Sequence, residues 1–88
     1  MTLFGRVSHD ERGYVNQSEL AEASGTTIQA YMASRKNTLF VEALAEDLEM
    51  TVREVMIPGR GGGNPRPAMC HPRLALDMAR WSNPKLAV

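Results

Sequence analysis

Three observations predict an α+β fold built from short helices, one longer helix and a Gly-rich β-hairpin. Helix-capping signals recur at residues 16–19, 26–29 and 51–54. Glycines and prolines gather at residues 58–67, between two short apolar runs. An amphipathic stripe then fills residues 72–81. The chain has 88 residues, enough for one domain (1–88) near the lower limit of what a single core stabilises unaided. With 43% hydrophobic and 23% charged residues it has the apolar content of a globular domain, which excludes a disordered tail.

Residues 3–7, LFGRV, read as a short strand. A polar turn through His9, Asp10, Glu11, Arg12 and Gly13 leads to Tyr14 and Val15 as a possible return strand. Asn16 with Glu19 forms a capping box, and Val15 with Leu20 the matching hydrophobic staple. That helix stops at Ser24, with Gly25 as its left-handed end. Thr26 with Gln29 forms a second box, and Ile28, Tyr31 and Met32 give the next helix an apolar side.

Two short helices across a Gly-containing turn are the layout of a helix-turn-helix, whose second member commonly enters the major groove of DNA. Thr27, Gln29 and Ser34 are the polar side chains of that second helix. Gln29 suits an adenine edge, or it only completes the Thr26 box. Arg35 and Lys36 follow and are suited to backbone phosphates.

Asn37 is placed to cap a longer helix running to about Glu49. Its buried stripe is Phe40, Val41, Leu44 and Leu48. Glu42, Glu46, Asp47 and Glu49 lie outside the stripe and make that face a poor partner for phosphates. Thr51 and Glu54 form a third box, with Met50 and Val55 as staple, for a helix of about one turn. Val55 to Ile57 read as a strand that Pro58 ends.

The run Arg60 to Arg66, RGGGNPR, is a loop, and Pro67 to Cys70 return from it. A hairpin with a glycine tip carrying arginines has the composition of a wing, since glycine lets backbone approach a nucleic-acid groove closely. Arg60, Gly61, Gly62, Asn64 and Arg66 are its candidate contacts. Pro72 suits the first position of the final helix, whose core stripe is Leu74, Ala75, Met78 and Ala79. Trp81 closes it as a core residue, and Asn83-Pro84 repeats the helix-start signal.

Net charge is zero, yet it is unevenly spread. Residues 1–50 carry four basic against eight acidic side chains, a balance of −4; residues 51–88 carry six against two, a balance of +4. Such a split points either to a polyanion partner on one side or to a dipolar surface without one. The single cysteine, Cys70, excludes an internal disulfide framework and fits a reducing compartment. No apolar run approaches the roughly 20 residues of a membrane span, and no signal segment opens the chain, so the expected location is cytoplasmic, with no membrane partner.

Catalysis is not expected. No nucleophile elbow, Ser-His-Asp order or carboxylate pair is present. The glycines at 61–63 lack the Lys-Ser/Thr of a phosphate-binding loop. His71 and Cys70 are neighbours without further ligands at zinc spacing, so no metal, cofactor or small-molecule substrate is expected. His71 reads as a cap or packing residue at the Pro72 helix, Cys70 as a small buried hydrophobe, and Tyr31 as core.

The closing run H-P-x-L-A-x-x-x-A-x-W-x-x-P-x-x-A, on His71, Pro72, Leu74, Ala75, Ala79, Trp81, Pro84 and Ala87, resembles the end of the KilA-N domain. That family is a DNA-binding module of large DNA viruses, phages and bacteria. The likeness extends back through Gly61, Gly62 and Gly63, the Asn37–Leu48 helix, Tyr31 and the opening Tyr14-Val15-Asn16. Ala68-Met69-Cys70 stands where the family usually has Thr-Trp-Val.

Because KilA-N resembles the fungal APSES domains, the resemblance implies a winged-helix-like architecture and a module of a larger protein. It further implies binding of double-stranded DNA by the two-helix unit and the wing, in a nucleoid-associated setting. The alternative is a protein-interaction or oligomerisation module, with a protein partner or a homodimer, that keeps the fold without the DNA surface. Single-stranded nucleic acid is a weaker third reading, because few aromatics are free to stack.

Overall fold

Helices begin where capping residues recur, though not always at the residue the local signal favours. The computed structural model describes residues 8–82; the expected strand at 3–7 and the Asn83-Pro84 helix start lie outside them. Asn16 caps α1 (Gln17–Ala23), its side-chain oxygen accepting from the Glu19 N–H at 3.0 Å. The box is half made: the Asn16 N–H donates to the Ser8 carbonyl at 2.8 Å, and the Glu19 carboxylate accepts the Ser8 N–H at 2.8 Å instead.

α1 ends as expected, with Gly25 at φ 73° and the Thr26 N–H reaching back to the Ala21 carbonyl at 2.9 Å. This closure moves the next helix start by one residue. Thr26 is committed to the end of α1, so Thr27 caps α2 (Ile28–Met32), accepting from the Ala30 N–H at 3.0 Å, and the Thr26–Gln29 box does not form.

Ser34, not Asn37, caps α3 (Arg35–Asp47). Asn37 is buried and its Nδ2 donates to the Tyr31 carbonyl at 2.9 Å, so it ties α2 to α3 instead of starting a helix. Arg35 and Lys36 therefore occupy the first turn of α3. α3 closes in the same way as α1, with Met50 N–H to the Ala45 carbonyl at 2.8 Å and Glu49 N–H to the Glu46 carbonyl at 3.1 Å.

Here the left-handed residue is Glu49, at φ 56°. For a residue with a Cβ this conformation costs about 1 kcal/mol. Glu49→Gly is expected to stabilise the domain by up to about 1 kcal/mol, a rise of roughly 4 °C in the thermal midpoint followed by circular dichroism. A fall in the midpoint would show that the glutamate side chain supplies a compensating interaction.

Thr51 and Glu54 complete their box and start α4 (Val52–Val55), a single turn that runs into β2 (Met56–Ile57). The expected strand residue Val55 thus ends the helix, where it is fully buried. β3 (Met69–Cys70) is the central strand of an antiparallel sheet ordered β1 (Val15–Asn16), β3, β2. Cys70 stands opposite Val15 on one side and Met56 on the other, which buries its thiol and pushes its pKa up to about 12. The return strand at Val15 pairs with His9 across a turn held by Asp10, whose carboxylate accepts the Arg12 and Tyr14 N–H groups.

α5 (Pro72–Ser82) begins at Pro72, and His71 caps it, Nδ1 accepting the Arg73 N–H at 3.1 Å. Nδ1 must be unprotonated to accept, and burial together with the Arg73 charge holds the His71 pKa below its ordinary 6.5. Because the folded pKa is depressed, this stabilisation is present above pH 6.5 and is lost as pH falls through the folded pKa. The cap is worth about 1 kcal/mol. His71→Ser caps without titrating, so it is expected to flatten the pH profile of the urea midpoint below neutrality. A profile as steep as that of wild type would contradict this role.

The core lies between α1, α5 and the sheet, where Val15, Leu20, Tyr31, Leu74 and Met78 are almost completely buried. Together the described residues make an α+β domain of five helices and one three-stranded sheet. Trp81 is a correction. It packs its ring edge-on to Tyr31 at 5.5 Å but remains 40% exposed, because beyond this ring pair the space between α3 and α5 is open.

Candidate nucleic-acid interface

Beyond β2 and β3 the hairpin continues to its tip through Arg60 and Arg66. Each donates its N–H to the other's carbonyl, at 2.9 and 2.8 Å. Residues paired in this way stand directly opposite each other and send their side chains to the same face of the ribbon. Both arginines are exposed, and among the described residues neither has an acidic partner. Two like charges held side by side destabilise a hairpin slightly. The pairing concentrates positive charge at the end of a two-stranded ribbon.

The glycines of this hairpin divide into two kinds. A Cβ at Gly59 would lie 3.0 Å from the Ala68 nitrogen and 3.3 Å from the Arg66 carbonyl oxygen, so the close approach of the two strands favours glycine there. Gly62 has φ 85° and makes the turn. Gly61 and Gly63 have neither duty, since a Cβ on either would meet open space. Asn64, also at the tip, is exposed.

On α3, Arg35 and Lys36 are exposed neighbours in the first turn. Cations there oppose the positive end of the helix dipole, and they flank N–H groups that have no partner within the helix. The arrangement disfavours the free helix and favours an anion at its end. On α2, Thr27 is exposed but its oxygen already accepts a hydrogen bond as the cap, and Ser34 does the same for α3. Gln29, exposed on the first turn of α2, has no such duty. Of the three polar side chains expected on this helix, it is the one with no capping role.

The expected site residues thus fall on three elements: Thr27 at the N-cap of α2 and Gln29 on it, Arg35 and Lys36 on α3, and Arg60, Gly61, Gly62, Asn64 and Arg66 on the hairpin. The hairpin set is brought together by direct pairing, and the α2 and α3 sets are joined through the Asn37–Tyr31 hydrogen bond. Arg12 adds nothing to this surface, as its guanidinium is held by Asp10 at 2.7 Å and lies over the Tyr14 ring. Two further residues matter here that the sequence does not single out. Gly59 carries a usable signal, the Pro58-Gly59 pair, whereas Arg80 reaches a cleft shared with Lys36 only through the packing of α5 beside α3. No protein-family model, curated protein or solved structure matches the chain.

Proposed function

We propose that the chain is a double-stranded-DNA-binding module of the KilA-N type with a winged-helix-like layout. In this reading α1 and α2 form the helix-turn-helix, and Gln29 faces a base edge. The first turn of α3 clamps phosphates with Arg35 and Lys36, and the hairpin is the wing. The observation that carries it is the Arg60–Arg66 pair, two like charges without an acidic partner among the described residues, registered opposite one another on an exposed ribbon. A fold gains nothing from that arrangement, whereas a polyanion partner does.

Gly61 and Gly63 support the same reading, because internal geometry does not demand glycine at either position. A wing whose backbone lies against DNA does demand it. The Gly61→Ala/Gly63→Ala double variant is therefore expected to melt at or slightly above the wild-type temperature, since fewer unfolded conformations are lost on folding. Its affinity for a short random-sequence duplex, read by fluorescence anisotropy, is expected to fall about tenfold because the backbone no longer approaches as closely, equivalent to about 1.4 kcal/mol. Unchanged affinity would remove the wing backbone from the interface.

A further inference from the structure

We infer that the trough between α3 and α5 is a docking groove for an acidic amphipathic helix of a partner protein. α3 presents Lys36, Phe40, Ala43 and Asp47, spaced four, three and four residues apart on one face. α5 presents Arg73, Leu76, Asp77 and Arg80, likewise on one face. Three depressions of about 340, 200 and 200 Å³ lie along these stripes and share walls, the first two through Phe40 and Arg73, the last two through Asp77 and Arg80. They form one continuous trough.

Its floor is more apolar than a solvated helix face needs to be. Leu76 is 42% exposed within an otherwise charged stripe, Trp81 is 40% exposed at one end, and Phe40 is half-buried where the first two depressions meet. An apolar line beside a helix of eleven residues suits anchors at i, i+3, i+4 and i+7 of a partner helix.

Charge selects the partner's chemistry. Of the two acids of the trough, Asp47 is ion-paired with Arg73 at 3.3 Å, whereas Asp77 accepts only the neutral Tyr31 hydroxyl, at 2.6 Å, and keeps its charge. Lys36 and Arg80, which line the Trp81 end, have no acidic partner among the described residues. Lys36 and Arg80 against the one carboxylate of Asp77 leave a surplus of one positive charge beside the exposed indole, a place for a partner carboxylate next to an apolar anchor.

Trp81 is the single tryptophan of the chain and reports on its own groove. The probe is a synthetic tryptophan-free helical peptide with leucine at i, i+3, i+4 and i+7 and glutamate elsewhere, compared with its lysine counterpart. The acidic peptide is expected to shift Trp81 emission to shorter wavelength saturably, with the lysine peptide at least tenfold weaker. Leu76→Glu is expected to abolish the shift and Arg80→Glu to weaken it at least tenfold, with duplex affinity unchanged in Leu76→Glu.

Several outcomes overturn the inference. These are no spectral shift with the acidic peptide, equal binding of both peptides, or concentration-dependent self-association that Leu76→Glu removes, which would assign the groove to a second copy. Loss of duplex affinity in Leu76→Glu would assign it to DNA. Circular dichroism of each variant separates these results from unfolding.

Discussion

Replacing Arg60 and Arg66 together with alanine is expected to weaken duplex binding roughly a hundredfold, at about 1.5 kcal/mol for each charge-assisted hydrogen bond removed. The same change is expected to leave the thermal midpoint unchanged or slightly raised. The two residues are paired through backbone hydrogen bonds that alanine keeps, and removing opposed like charges relieves the ribbon. The salt dependence gives a second readout. With two fewer phosphates neutralised, the slope of log affinity against log salt should become shallower by about 1.8. A variant that binds as tightly as wild type, with the same slope, would take the hairpin out of the DNA surface.

The largest expected effect on stability is at Tyr31. α2 has five residues, too few to persist alone, and Tyr31 is its one fully buried side chain, with Ile28 and Met32 packing more shallowly on the core. The ring is fully buried, lies edge-on to Trp81 and donates its hydroxyl to Asp77, while the Tyr31 carbonyl accepts from Asn37. Tyr31→Ala is expected to cost about 3–5 kcal/mol, as for other aromatic truncations in cores. A domain of 88 residues has a total stability of about 4–13 kcal/mol, so the variant sits at or below the folding threshold. Tyr31→Phe keeps the ring and is expected to cost only about 1–2 kcal/mol for the missing hydroxyl hydrogen bond. Urea titration followed by circular dichroism separates the two; a Tyr31→Ala midpoint near that of wild type would show that α2 is held some other way.

Much of the scaffold is legible in the sequence because its signals are local. The Thr51–Glu54 box, the Gly25 stop, the Pro72 start with its His71 cap and the Leu74, Ala75, Met78 and Ala79 stripe all form as their spacing predicts. The misplacements arise where one residue has two possible uses. Thr26 could cap α2, but the end of α1 takes its N–H. Asn37 could start a helix, but the Tyr31 carbonyl takes its side chain.

What depends on the meeting of distant segments is not legible in the same way. The preference for glycine at position 59 arises from the approach of Ala68 across the hairpin. The exposure of Trp81 and Leu76 follows from how α5 lies beside α3, which the periodicity of either helix alone does not reveal. The arginine pair is visible as composition, whereas its register, with Arg60 directly opposite Arg66, is a property of the folded hairpin.

If this domain binds DNA as proposed, the first turn of α3 and the hairpin tip both contact phosphates. The measurement that tests it most directly is a titration of the wild-type protein against a random-sequence duplex at several salt concentrations. If Arg35, Lys36, Arg60 and Arg66 each displace a counterion, log affinity falls with log salt at a slope of about −3.6. No binding at low salt, or an affinity that does not change with salt, would contradict the account.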